Sequence, residues 1–318
     1  MNKILCIGEA LIDMICTDKG STLSDGEHFL KKAGGAPTNV AAAIASLGGK
    51  VDIVTKLGND PFGKHIIDVL QSFGITTDGI TIDALHFTTF AFVSLMENGE
   101  RDFYFNRGAD GMLTKEDVAH IDMSAYTISH FGSATAFLPG PLQNTYEYML
   151  QQAKQHHQFV SFDPNYRELL FGDKKDEFVK RSLAFIQQSN FFKVSDEEAF
   201  LITGQSNLQD AAAYLARLSN AVFAITLGKE GTLLGINGQT TIIPSIPIQP
   251  VDTTGAGDAF VGAVLYQLSK YSVQEINMLD TQTWIKIFSH ANRAGARTCE
   301  YMGAMEAFKH LNNDIFNS

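Results

Sequence analysis

VDTTGAGDAFVGA, from Val251 to Ala263, joins a turn of small residues to an amphipathic run and sets one carboxylate, Asp258, at the junction. Gly255, Ala256 and Gly257 carry no bulk that would hold a ligand off the backbone. The continuation AFVGAVLYQL has the apolar spacing of a helix with one buried face. A helix starting at this turn leaves its first amide N–H groups without intrahelical partners and partly positive, a pocket for an anion such as a terminal phosphate. A carboxylate repels that anion, so Asp258 makes little sense for binding alone. It can orient an incoming hydroxyl and accept its proton. Phosphoryl transfer suits such a base, because its loose transition state asks for positioning and charge stabilisation. The competing reading is a helix N-terminus with a favourable acidic residue and glycines for the turn.

AGGAPTNVAAAIASLGG, from Ala33 to Gly49, repeats the design: adjacent glycines, a turn with Pro37, then Asn39 at the head of an alanine-rich helix. Gly34 and Gly35 let a polyhydroxylated ligand lie against backbone amides, and Asn39 offers both a donor and an acceptor to a hydroxyl. Close helix packing along the small face is the alternative role of this segment.

Between the two motifs, short β-rich runs alternate with helical ones. Strands are predicted at Lys3 to Ile7, Val51 to Lys56, Thr127 to Phe131, Phe159 to Phe162, Phe191 to Val194 and Val222 to Thr226. Helices are predicted at Phe62 to Phe73, Pro141 to His156, Lys174 to Gln188 and Gln209 to Leu218. Such alternation reads as an α/β fold with a parallel sheet covered on both faces, whose ligands bind outside the carboxyl ends of the strands. Thr88 to Met96 and Asp102 to Asn106 break the rhythm as an antiparallel hairpin turning through ENGE, with Phe90, Phe92, Phe103 and Phe105 at sheet spacing.

Both glycine motifs, in this order, resemble the signatures of the ribokinase-like, or PfkB, carbohydrate kinase family. GEALIDM at 8 to 14, DPNYRELLF at 163 to 171, KVSDEEAFLITG at 193 to 204, ITLGKEG at 225 to 231 and AGARTCEYMGAM at 295 to 305 extend the resemblance over nearly the whole chain. Within the family the chain is most similar to the fructokinase branch. The resemblance implies a single domain, residues 1 to 318, built as a three-layer sandwich with a mostly parallel central sheet. A small β lid, formed by segments of about 11 to 32 and 86 to 107, lies over the sugar. It also implies ATP and magnesium as partners of a free sugar, and a homodimer through the lid as one assembly.

The same resemblance distributes roles. Asp258 is the base, with the amides of Gly255, Ala256 and Gly257 stabilising charge, and Asp13 faces Gly34, Gly35 and Asn39 across the sugar. Thr226, Gly228 and Gly231 lie along the nucleotide, with a plain β-turn as the alternative for the intervening Lys229 and Glu230, and Asn292 lies on the adenine side. Asn165 or Arg167 neutralises charge near the transferred phosphate, with a surface turn as the alternative. Glu198 orients water around magnesium, in a motif where Ser195 replaces the family's more usual asparagine. A monovalent cation is implied at Asp252, Thr254 and carbonyls near Gly303, with a turn or cap carboxylate as the alternative for Asp252. Arg101 and Arg107 are the residues that would pair with a carboxylate were the sugar 2-keto-3-deoxygluconate. Ribose and nucleosides stand behind both, and a catalytically silent sugar sensor is the reading from another class.

Composition excludes other classes. The chain of 318 residues is 45% hydrophobic with a formal net charge of −11, which disfavours a nucleic-acid backbone as partner. No run approaches the roughly 20 apolar residues of a spanning helix, and Glu9 and Asp13 interrupt the first apolar run, so a cytoplasmic protein is expected. Cys6, Cys16 and Cys299 form no CxxC pair, and the nine histidines have no ligand spacing. There is no GxxxxGK[ST] and no GxGxxG after the first strand, so the turn at Gly255 must hold phosphate instead.

Overall fold

The computed structural model describes residues 1–96 and 101–317, for Arg101 the backbone only. Its strands are β1 (Lys3–Ile7), β2 (Leu11–Cys16), β3 (Phe29–Gly34), β4 (Lys50–Gly58), β5 (Ile80–Asp83), β6 (Phe90–Leu95), β7 (Arg101–Asn106), β8 (Ile128–Phe131), β9 (Phe159–Phe162), β10 (Phe191–Ser195), β11 (Val222–Thr226), β12 (Thr232–Ile236) and β13 (Gln239–Ile243). Its helices are α1 (Ala36–Ser46), α2 (Pro61–Ser72), α3 (Pro141–Gln155), α4 (Glu168–Phe171), α5 (Lys175–Ile186), α6 (Asp196–Thr203), α7 (Leu208–Leu218), α8 (Ala256–Leu268), α9 (Val273–Asn277), α10 (Thr281–Thr298) and α11 (Ala304–Phe308).

Alternation within the strands explains the layers. In β1, Ile4 and Cys6 face one core and Leu5 and Ile7 the other, and Phe191 and Phe192 of β10 divide in the same way. Because both faces are apolar, both must be covered. Helices α1, α2, α8 and α10 cover one side and α3, α5, α6 and α7 the other. The nine-stranded sheet runs β13-β12-β11-β10-β9-β8-β1-β4-β5. It is parallel from β11 to β5, and β12 and β13 add an antiparallel edge that the strand pattern does not anticipate.

β1 has β4 on one side and β8 on the other, so strand order reverses there and a crevice opens outside the carboxyl ends. The second sheet, β3-β2-β6-β7, stands over this end. Its β6 and β7 form the predicted antiparallel hairpin, with Phe90 opposite Asn106 and Leu95 opposite Arg101. The turn predicted at ENGE lies outside the described residues.

Small residues let α1 and α8 approach closely. A Cβ on Gly262 would come within 2.7 Å of the Ala43 Cβ, so a larger side chain there would push the helices apart. Helix α1 begins at Ala36, earlier than its sequence reading, which places Asn39 within the first turn and level with the start of α8.

Candidate active site

Gly255 has φ 82°, a left-handed conformation that starts α8 without side-chain strain and aims the first amides of the helix at the crevice. Asp258 lies in that first turn, only 8% exposed. Its Oδ2 accepts a 2.8 Å hydrogen bond from Asn39 Nδ2 on α1. Burial raises the Asp258 pKa, while the Asn39 bond, Lys193 and Arg167 pull it back down. The other polar atom of Asn39, Oδ1, is buried without a protein partner. An orphaned buried acceptor is costly unless something donates to it, and a ligand hydroxyl is a donor of the right kind.

Across the crevice, Asp13 on β2 pairs in register with Lys32 of β3 and lies over Gly34, where a Cβ would collide with its carboxylate. Desolvation pushes the Asp13 pKa up to about 6, against the pull of Arg167. Arg167 thus acts on both Asp13 and Asp258, and its own guanidinium donates to the Tyr166 carbonyl at 2.9 Å. Gly35, with φ 105°, caps α1, and a Cβ there would come within 2.5 Å of the Glu9 carbonyl.

Two residues that sequence reasoning does not single out complete this centre. Glu9, 1% exposed, accepts hydrogen bonds at Oε1 from Ala36 N and Ala134 N and at Oε2 from Ser133 Oγ, tying the start of α1 to the loops after β1 and β8. Burial raises its pKa to about 7. Lys193 on β10 is 7% exposed, with Nζ 3.1 Å from Asp163 Oδ2. The signals available in the sequence are a lone acid in CIGEAL and a lone base in FFKVS, each inside an apolar run.

Several of the expected site residues also make bonds within the protein. Asn165, held at φ 49°, donates to the Gly132 carbonyl at 2.8 Å and accepts from the Arg167 guanidinium at 3.4 Å, which shapes the turn after β9. Asn292 is buried and donates to the Ile243 and Pro244 carbonyls while accepting from Thr232 Oγ1, so its amide pins the edge hairpin. Arg107 donates to the Pro139 and Thr135 carbonyls and sits 3.6 Å from buried Asp110. Those bonds engage the guanidinium that a substrate carboxylate would need. The side chain of Arg101 lies outside the described residues.

Thr226 closes β11, Gly228 follows with φ 57° in an exposed turn, and Gly231, with φ 109°, is buried beside the end of β13. Glu198 accepts from Ser195 N at Oε2 and from Tyr166 N at Oε1, so the serine and glutamate form a capping box that also anchors the turn after β9. Asp252 accepts from Thr254 N and Oγ1 and, at 2.8 Å, from Gly303 N. These bonds draw Asp252, Thr254 and Gly303 together.

Among the described residues, no cluster of three or more His, Cys, Asp or Glu converges as a metal cage. Asp163 and Glu198 offer hard oxygens beside the anion turn, which fits a magnesium ion that keeps water and is held mainly by phosphates. A separate groove of about 460 Å³ is lined by Arg293, Arg297, Tyr301 and His310. Its arginines already bond the Ile315 and Asn317 carbonyls and Glu300, and none of the centre described above lies in it. No helix among the described residues is long and apolar enough to cross a membrane.

The pfkB family carbohydrate kinase model matches residues 1–311. Fructokinase-1 of Zea mays is 34% identical over 305 residues, covering 95% of this chain and 93% of that relative. The structure of a fructokinase with bound ATP from Xylella fastidiosa superposes with TM-score 0.85 at 28% identity, over 96% of this chain and 94% of the other. A fructokinase of Vibrio cholerae O395, crystallised with fructose, ADP and calcium, gives 0.84 at 29% identity, over 99% and 98%.

Proposed function

The chain belongs to the pfkB family of carbohydrate kinases, and from that premise we propose that it phosphorylates a free sugar from ATP, converting D-fructose to D-fructose 6-phosphate. The observation that carries the reading is the pairing of Asp258 with Asn39 at the amide-rich start of α8, with Asp13 across the crevice. Asp13 and the orphaned Oδ1 of Asn39 hold sugar hydroxyls, and Gly34 and Gly35 keep the backbone close. Asp258 accepts the proton of the primary hydroxyl as its oxygen bonds to phosphorus, and the amides of Gly255, Ala256 and Gly257 stabilise the charge in transit. Thr226, Gly228 and Gly231 border the nucleotide. Magnesium, when bound, is held beside Asp163 and Glu198 and supplies charge neutralisation between the phosphates. A monovalent cation at Asp252, Thr254 and the carbonyls near Gly303 belongs to the same reading, as does the second sheet acting as a lid.

An assay of ADP release with fructose, ribose and 2-keto-3-deoxygluconate tests the substrate. Fructose is expected to give the highest kcat/KM. Traces without sugar-dependent ADP for any sugar would leave a binding protein without catalysis. The same assay in potassium and in sodium chloride tests the ion, and equal rates would remove it.

Arg107 separates fructose from the acidic rival. Its guanidinium is engaged by Asp110 and two carbonyls. Arg107→Ala is therefore expected to cost about 3 kcal/mol of stability, by leaving a buried charge without its partner. The apparent constant for fructose should stay within a few-fold. Denaturant melts beside sugar titrations check this, and a selective loss on ketodeoxygluconate would reassign the substrate.

A further inference from the structure

We propose that Glu9 and Thr135 are positioning residues for the sugar: with Ser133 and Asp110 they form one buried chain of hydrogen bonds that holds α1, which carries Asn39, in register with the second sheet, which carries Asp13. The inference rests on the kinase reading and deepens it by naming what sets the two sides of its sugar site against each other.

The chain of bonds runs from one side to the other. Glu9 Oε1 accepts from the N–H of Ala36, the first residue of α1, at 3.1 Å, and the Glu9 carbonyl accepts from Thr38 Oγ1 at 3.2 Å. Glu9 Oε2 accepts from Ser133 Oγ, which in turn accepts from Thr135 N at 3.3 Å and Ala136 N at 2.9 Å. Thr135 Oγ1 donates to Asp110 Oδ2 at 2.8 Å, and Thr89 Oγ1 donates to Asp110 Oδ1. Thr89 immediately precedes β6, and its carbonyl accepts at 2.9 Å from the N–H of Ile12, the neighbour of Asp13 on β2. Both ends therefore stand next to groups that face the sugar. Glycine makes the close approach possible: a Cβ on Gly8 would come within 2.5 Å of Ser133 Cβ and 2.7 Å of Pro37 Cγ.

Energetics point beyond holding the fold. Glu9, Asp110 and Thr135 are each 1% exposed. Burying two carboxylates is costly, and apolar residues packed in place of buried charges often hold a core as well. Here every oxygen of both carboxylates receives a donor, and such a satisfied network fixes one arrangement of the parts it joins. That matters at this crevice, where Asp13 and Asn39 come from different layers and a misplacement of about 1 Å can cost about 100-fold in rate. Arg107, with Nε 3.6 Å from Asp110 Oδ2, balances the Asp110 charge without joining the hydrogen-bonded path.

The test uses the full chain as Thr135→Val, which removes one hydroxyl and keeps the shape, Thr135→Ser, which keeps the hydroxyl, Glu9→Gln, and the double variant Thr135→Val with Glu9→Gln. Ser189→Ala, which removes a buried hydroxyl bond to the Phe185 carbonyl beyond α5, is the control. Calorimetry measures the dissociation constants for ADP and for fructose, or whichever of the three assayed sugars the wild type uses, with denaturant melts alongside. Thr135→Val is expected to weaken sugar binding about five- to tenfold, the worth of one hydrogen bond, with ADP within about twofold of wild type. Thr135→Ser should bind sugar as the wild type does, and Glu9→Gln should show the same selective loss. Cutting one chain twice does little more than cutting it once, so the double variant should exceed the larger single loss by no more than about twofold. Amide hydrogen exchange gives a reading that needs no sugar: in Thr135→Val the amides of both Ala36 and Ile12 should exchange faster, and in Ser189→Ala neither should. Sugar binding by Thr135→Val within about twofold of wild type, equal losses for sugar and ADP, no rescue by Thr135→Ser, or unchanged exchange at Ala36 would overturn the proposal. So would a loss of sugar affinity in Ser189→Ala as large as that in Thr135→Val. A wild type inactive on every sugar fails the kinase reading, while exchange at Ala36 and Ile12 still tests the chain of bonds.

Discussion

Asp258→Asn is expected to lower kcat by about 10²- to 10⁴-fold, the usual worth of a general base, while affinities for sugar and nucleotide stay within a few-fold. The amide keeps the shape of the carboxylate and still accepts the 2.8 Å hydrogen bond from Asn39 Nδ2, so α1 and α8 remain joined. What it cannot do is take a proton. The pH dependence has a definite sign. Because burial raises the Asp258 pKa in the folded chain, its ionisation opposes folding, and the stability it contributes is present at low pH and lost as pH rises through the raised value. Asparagine has no such loss, so the variant should gain stability relative to wild type on going from acid to neutral pH. The wild-type rate should fall on acidification, as the base becomes protonated. Single-turnover kinetics with denaturant melts across pH measure both effects. Near-normal turnover in Asp258→Asn would remove this residue from the chemistry.

Asp13→Ala should raise the apparent constant for fructose by roughly 10- to 100-fold, as expected for losing a hydrogen bond to a charged group worth about 1.5 to 3 kcal/mol. The constant for ATP should change little, because Asp13 stands on β2 of the second sheet, opposite the helix that carries the anion turn. Its pKa of about 6, raised by desolvation, adds a second signature. Sugar binding should weaken as pH falls through that value, and Asp13→Asn should flatten the profile. Isothermal titration with fructose at several pH values is the measurement. A variant in which ATP suffers and fructose does not would exchange the two pockets.

Much of the fold was legible because strand and helix periods are local. Lys3–Ile7, Phe159–Phe162 and Val222–Thr226 stand where the apolar runs place them. The edge strands β12 and β13 are less legible. The exposed side chains of Gln239, Thr240, Thr241 and Ile242 on β13 carry no clear alternation, since the outermost strand has only one neighbour to satisfy. At the centre, Asp258, Asn39 and the glycine turns could be found from their chemistry, each within a short motif, whereas Asp13 was implied by the family resemblance. Arg107, Asn165 and Asn292 show the limit. Their polar groups suit a ligand equally well, but tertiary packing turns them toward buried carbonyls, and no residue beside them in sequence announces that.

By itself, then, the sequence determined the α/β alternation, the two glycine turns, and a carboxylate at the head of a helix. Each follows from steric freedom, helix dipole and periodicity over a dozen residues or fewer. Only the tertiary structure decided that Asp258 bonds to Asn39, 219 residues away, because that contact depends on two helices packing through Gly262 and Ala43. It alone placed Glu9 under the start of α1 and paired the ammonium of Lys193 with Asp163 beside Gly257. A buried charge acquires its role from what desolvates and faces it, and those neighbours come from other strands.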